Sequence, residues 1–269
     1  MNFFTRVATF AAIAAASACL NAEQTTGPLP AGGHHVLFVG NSLTYVNDLP
    51  ATVAAIGASV CDTIRVRMDA EPNLALIDHL NGGSNAVADI RQGGWELVVL
   101  SQGPTPAGLC RDSLILWTKM FDSLVRPGGA RTALFMTWPT IDGAGTFDAV
   151  RVSFQQAAAS VSGVFMPAGE AWRSALRSDA SLALWGGDGF HPSSIGTFLA
   201  ALEIYERITG KDARALPLLA YSNGQRFSLP DATIRLLHDA AHDANSRFRA
   251  DAADAPPVDT SPKPAVGHC

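Results

Sequence analysis

Ser42, Asp188 and His191 are the residues of this 269-residue chain whose types and spacing could do covalent chemistry. Asp188 and His191 stand three apart in Gly186-Gly187-Asp188-Gly189-Phe190-His191-Pro192, a glycine-rich loop ahead of a helical pattern. A turn there brings the carboxylate against one imidazole nitrogen and leaves the other to face a serine hydroxyl. Nucleophilic serine catalysis needs that arrangement: the imidazole takes the hydroxyl proton, while the carboxylate fixes the tautomer and stabilises the imidazolium. The order serine, aspartate, histidine suits an α/β scaffold. Taken alone, Asp188 reads equally well as a cap for the helix that starts near Ser193. Ser42 supplies the reason to read it as the orienting acid.

Ser42 follows the run Val36-Leu37-Phe38-Val39-Gly40-Asn41. Four apolar residues, two of them β-branched, predict a buried strand, and Gly40 ends it in a turn that presents a hydroxyl. The carboxyl end of such a strand is where open α/β sheets hold their ligands. Further strand-like runs lie at 63–68, 96–100, 132–138 and 164–166, alternating with helix-like segments at 49–59, 74–91, 113–125 and 147–160. Helical patterns at 170–177, 193–208 and 231–248 complete the chain. The alternation predicts an α/β fold of right-handed βαβ units: a five-stranded parallel sheet covered by helices on both faces. Continuously apolar strands fit a sheet buried on both sides.

Gly40-Asn41-Ser42-Leu43-Thr44 and Asp188-Gly189-Phe190-His191-Pro192 resemble the first and last blocks of the SGNH (GDSL-type) hydrolases, over roughly residues 35–210. Asn41 stands where that family usually has Asp, and no Gly-x-Ser-x-Gly elbow points to an ordinary α/β-hydrolase. The resemblance implies a flavodoxin-like three-layer α/β/α sandwich and serine attack on esters without a metal or other cofactor. The middle blocks depart from the family. Its second block supplies a Gly amide to the oxyanion, whereas this chain has Ala70-Glu71-Pro72-Asn73-Leu74. Pro72 has no amide to donate, so Asn73, at the opening of the next helix, is the substitute. The family's Gly-x-Asn-Asp third block is replaced by Ser101-Gln102-Gly103-Pro104, where the Gln102 side-chain NH₂ stands in for Asn. The expected oxyanion hole is therefore Ser42, Asn73 and Gln102. Asn41, Tyr45 and Trp138 are the expected substrate-binding residues. Trp138 ends the fourth strand-like run on the same face as Ser42, with Asn47 and Asp48 also near the nucleophile.

At 48% hydrophobic and 16% charged residues the chain can bury one large core. A net charge of −5 gives no basic field for nucleic acid, which is excluded as a partner. Residues 1–22 read as an export signal, with one positive charge in 1–6 and an Ala-rich apolar stretch at 7–16 that is too short to span a bilayer. Ala16-Ser17-Ala18 is a small-x-small cleavage site, and with Cys19 it also resembles a bacterial lipoprotein box. Two routes follow: plain cleavage, or lipidation of Cys19 and a membrane tether. Either places the mature protein outside the cytoplasm, periplasmic or secreted. Residues 23–33 read as a spacer, 34–250 as the hydrolase-like domain and 251–269 as a disordered tail rich in Ala, Pro and Asp. Cys61 precedes the second strand and Cys110 follows the third, about 15–20 Å apart along a parallel sheet. That is too far for a disulfide.

Other histidines read as structural. His238 and His242 stand four apart, but Asp239 and Asp243 beside them favour a solvated face over a metal pair. His79 falls on a helix flank. The function these residues support is an exported serine ester hydrolase, acting on a carboxylester or as a carbohydrate O-acetyl esterase, with a small-molecule or saccharide ester as substrate. The same residues would serve an O-acyltransferase, and the irregular middle blocks also admit a non-catalytic, glycan-binding relic of the fold.

Overall fold

The computed structural model describes residues 32–104 and 109–248. The expected export signal, Cys19, most of the spacer and the tail at 251–269 lie outside the described residues. β1 (His34–Gly40) is an interior strand of the sheet, with Val36, Leu37, Phe38 and Val39 wholly buried. β2 (Ile64–Ala70) pairs with one side of it and β3 (Leu97–Leu100) with the other; β4 (Arg131–Phe135) and β5 (Val164–Met166) continue the sheet. Every pairing is parallel, and the order is β2-β1-β3-β4-β5. This is the flavodoxin-like order, in which the winding reverses between β1 and β3 and opens a crevice at their carboxyl ends. β2 lies at the edge and alternates Ile64, Val66 and Met68 with Arg65, Arg67 and Asp69, whereas β1, β3 and β5 are apolar almost without interruption.

The helices are α1 (Ser42–Tyr45), α2 (Leu49–Ala58), α3 (Leu76–Asp78), α4 (Ala86–Gln92), α5 (Leu109–Val125), α6 (Phe147–Ala159), α7 (Ala168–Ser178), α8 (Ser194–Thr209) and α9 (Asp231–Arg247). α4, α5 and α6 pack in series as one layer, and α2, α8, α9 and α7 form the other. The three-layer α/β/α sandwich with five parallel strands is therefore as expected. None of the described helices is long and apolar enough to cross a membrane.

Three local features differ from the sequence reading. The helix expected over 74–91 is broken into α3, a π-turn over His79–Gly83, and α4, because Gly82 takes φ 93° and an unbroken helix cannot pass through it. The strand expected over 132–138 ends at Phe135, and Thr137 and Trp138 leave the ladder while staying fully buried. A hairpin of β6 (Ala220–Ser222) and β7 (Gln225–Phe227) was not expected. Asn223 and Gly224 turn it with φ of 52° and 69°, the left-handed pair a type I′ turn requires. No bond joins Cys61 to Cys110.

Candidate active site

The segment that carries Ser42, the expected nucleophile, is shaped by the end of β1. Gly40 is in close contact with its surroundings: a Cβ there would stand 2.4 Å from Thr44 Oγ1 and 3.2 Å from Ser101 Cβ. Asn41 then caps α1, its Oδ1 accepting from Leu43 N at 3.1 Å, while its Nδ2 donates to Leu74 O at 3.3 Å. Ser42 is the first residue of α1 and is 9% exposed. Neither its hydroxyl nor its own amide has a hydrogen-bond partner among the described residues. Asn47 and Asp48 both adopt positive φ, and Asp48 caps α2 by accepting from Ala51 N at 3.1 Å.

His191 and Asp188, the expected base and orienting acid, sit on the loop between α7 and α8. Asp188 Oδ2 accepts from His191 Nδ1 at 2.5 Å, and Oδ1 accepts the amides of Phe190 and His191 at 3.0 and 2.9 Å. Those bonds, the one from His191 first, hold the Asp188 carboxyl down to about 2, so it is ionised across the working range. Since Asp188 accepts at Nδ1, that nitrogen carries the proton and Nε2 is the basic one. Nε2 has no partner among the described residues, so the two atoms that would exchange a proton, Ser42 Oγ and His191 Nε2, are both open. Such bonds commonly tighten only when substrate is present.

Aromatic side chains and one amide fix this loop against the rest of the site. Trp138 is fully buried, stacked on Trp172 with centroids 3.7 Å apart and planes 5° apart, and donates from Nε1 to Phe190 O at 3.1 Å. Trp185 packs edge-on to Trp172 and donates to Pro139 O at 3.0 Å. Ile141 N donates to Gly189 O at 2.8 Å, and Gly189, at φ 69°, has room for no Cβ beside Ile141 Cγ2 at 2.7 Å. Asn47 Nδ2 donates to Pro192 O at 2.9 Å and to Thr197 Oγ1 at 3.0 Å, tying the Ser42 segment to the residue after His191.

Across the β1/β3 switch lies Gln102, 2% exposed. Its Oε1 accepts from Leu76 N at 3.2 Å, which fixes the amide orientation, because a backbone N–H cannot donate to the NH₂. The Nε2 that this leaves is buried with no partner. An unsatisfied buried donor costs roughly 1–3 kcal/mol, and this one has a hydrogen bond left to give.

Among solved structures, a Slackia heliotrinireducens protein proposed to be an SGNH hydrolase is 24% identical, superposes with a TM-score of 0.52, and is covered over 99% of its length by 65% of this chain. A DUF4886 family protein from Bacteroides uniformis ATCC 8492 is 17% identical, with a TM-score of 0.64 over 79% of this chain and 95% of that one. TesA is 17% identical, with a TM-score of 0.50 over 66% and 99%. The chain has the SGNH hydrolase fold. No family model matches the sequence, and no curated protein does.

Set on the SGNH hydrolase fold, the expected site residues divide. Ser42 lies at the carboxyl end of β1 and Gln102 at that of β3, while Asp188 and His191 form their pair. Tyr45 is half-buried on α1 with its hydroxyl unbonded among the described residues. Asn73 does not open a helix. It is exposed at φ 60°, two residues before the α3 cap, at the third position of a type II turn whose second position is Pro72; Leu74 N donates to Glu71 O at 3.4 Å. Trp138 is not a substrate wall, since a side chain with no exposed surface under Trp172 has none to offer. Asn41 and Asn47 have their amides committed to the fold rather than to substrate.

Two histidines differ from expectation. His79 is not on a flank but fully buried, with Nε2 2.9 Å from Gly40 O and Nδ1 2.7 Å from Ser84 Oγ. His238 turns into the core against Phe198. His242 instead lies between Glu206 Oε1 and Asp212 Oδ1, 3.0 and 3.2 Å from its Nδ1. An imidazole between two carboxylates accounts for that cluster, and Arg214 already bonds both oxygens of Asp212.

Proposed function

We propose that this protein is an exported serine ester hydrolase. The observation that carries the reading is the 2.5 Å bond from His191 Nδ1 to Asp188, which orients the imidazole and leaves Nε2 as base. Supporting it are Ser42 at the β1 terminus and the unpartnered Gln102 Nε2 across the switch. His191 takes the Ser42 hydroxyl proton as Oγ attacks the ester carbonyl. The resulting oxyanion is received by the Ser42 amide and Gln102 Nε2, with Asn73 at the rim as a third candidate donor. His191 then protonates the leaving alcohol, an acyl-enzyme remains, and water deprotonated by His191 releases the acid and restores Ser42. The substrate is a small-molecule or saccharide ester. Export rests on the signal-like residues 1–22 and the Cys19 box.

Hydrolysis of p-nitrophenyl acetate tests the proposal. Turnover that disappears in Ser42→Ala is expected; turnover unchanged by that substitution, or none on short and long esters alike, would overturn it. Adding a sugar acceptor separates acyl transfer from hydrolysis, because transfer yields an acylated sugar in place of the free acid.

A further inference from the structure

We propose that His79 is a positioning residue for the nucleophile, holding the Gly40 carbonyl so that the turn into Ser42 keeps its aim. The inference rests on Ser42 being the nucleophile. Gly40 O can only accept, so the 2.9 Å contact requires His79 Nε2 to carry the proton. In the neutral ring Nδ1 is then a bare acceptor, and the Ser84 hydroxyl at 2.7 Å must donate to it. Ser84 Oγ in turn accepts from Ala86 N at 3.1 Å, in the first turn of α4. Every donor in this row has one acceptor, and the row runs from α4 to the last carbonyl of β1. Burial depresses the imidazole pKa, which keeps the ring in the neutral form the row requires.

Gly40 is two residues before Ser42, and its carbonyl also accepts from Glu71 N at 3.2 Å. The Gly40–Asn41 peptide plane therefore has its oxygen held by two donors. Tilting that plane rotates Asn41, its cap bond to Leu43 and the Ser42 Cβ vector together. The π-turn is what delivers the ring: it starts at His79, and its extra residue and Gly82 let the chain double back so that Ser84 reaches Nδ1. A buried apolar side chain would fill the same space without holding the carbonyl, so the polar bond is the feature to be explained.

Glutamine and asparagine separate the role from packing, because the glutamine amide reaches the place of Nε2 and the asparagine amide that of Nδ1. His79→Gln is expected to retain turnover within about 3-fold. His79→Asn and His79→Leu are expected to lower kcat about 10–100-fold at nearly unchanged KM, as for a nucleophile misplaced by a fraction of an ångström. Fluorophosphonate labelling of Ser42 should slow in parallel, with melting temperature recorded for each variant. Equal kcat in Gln and Asn variants, or losses that track melting temperature alone, would overturn the inference. Should the leucine variant fail to fold, the Gln and Asn pair decides. Ser42→Ala measured alongside keeps the readings apart: if it abolishes turnover while His79→Asn is unaffected, only the role of His79 falls. Wild-type turnover in Ser42→Ala overturns the nucleophile, and this inference with it.

Discussion

Asn47 Nδ2 donates to Pro192 O at 2.9 Å, so the segment that follows Ser42 is bonded directly to the residue that follows His191, 145 positions later in sequence. Ser42 and His191, the proposed nucleophile and base, come from opposite ends of the domain, and this amide ties their two segments together without touching either. Asn47→Ala removes the bonds to Pro192 and to Thr197 and puts alanine at φ 57°. A stability loss of about 1–3 kcal/mol is expected. Turnover should fall with it, measured by denaturant unfolding beside initial rates.

Asp188 should act through the orientation and charge of His191. Asp188→Asn is expected to lower kcat by about 10²–10⁴-fold, the range of a general acid–base contribution. Because the carboxyl lies at about 2, it contributes no proton to the acid limb above pH 3. Turnover in Asp188→Asn equal to that of the unsubstituted protein, in initial rates measured side by side, would contradict this role.

Gln102→Ala should lower kcat by about 100-fold or more while KM stays near wild type, since an oxyanion donor contributes about 2.7–4 kcal/mol in the transition state. Unchanged turnover would remove Gln102 from the oxyanion site.

Trp138 should behave as a strut for the dyad loop. Trp138→Phe keeps a ring on Trp172 but loses the bond to Phe190 O, and should lower kcat several-fold. Trp138→Ala should cost about 3–5 kcal/mol in unfolding free energy. A selective rise in KM for bulky esters would instead place Trp138 at the substrate.

Glu203 on α8 is fully buried, with neither carboxyl oxygen hydrogen-bonded among the described residues; Arg207 is 4.0 Å away, and Glu206 adds a like charge. Burial raises its carboxyl to about 8. The folded state thus holds a proton that the unfolded chain releases near 4.5, so the stabilisation is complete below that pH and is lost as pH rises through about 8. Glu203→Gln should flatten the fall in melting temperature between pH 5 and pH 9, and an identical fall in both proteins would contradict this.

The sheet was legible because its strands are apolar runs of the right length between helical periods, and β1 with its Gly-x-Ser ending places itself. Asp188 and His191 were legible because three-residue spacing in a glycine-rich loop is a local property. What escaped depends on tertiary contacts. The buried state of His79 is set by a carbonyl 39 positions earlier, and the same is true of the Trp138, Trp172 and Trp185 stack, whose members lie on separate segments. Two misses did carry local signals. Gly82-Gly83 marks the break in the helix expected over 74–91, and Asn223-Gly224 between short strands marks the hairpin. Pro72-Asn73 likewise predicts a type II turn rather than a helix start.

Labelling with a fluorophosphonate, read by intact mass and peptide mapping, tests the nucleophile and its activation together. One adduct on the peptide containing Ser42, absent in Ser42→Ala and formed far more slowly in His191→Ala, is the predicted result. An adduct that persists in Ser42→Ala, or labelling of Ser42 at the same rate without His191, would contradict it.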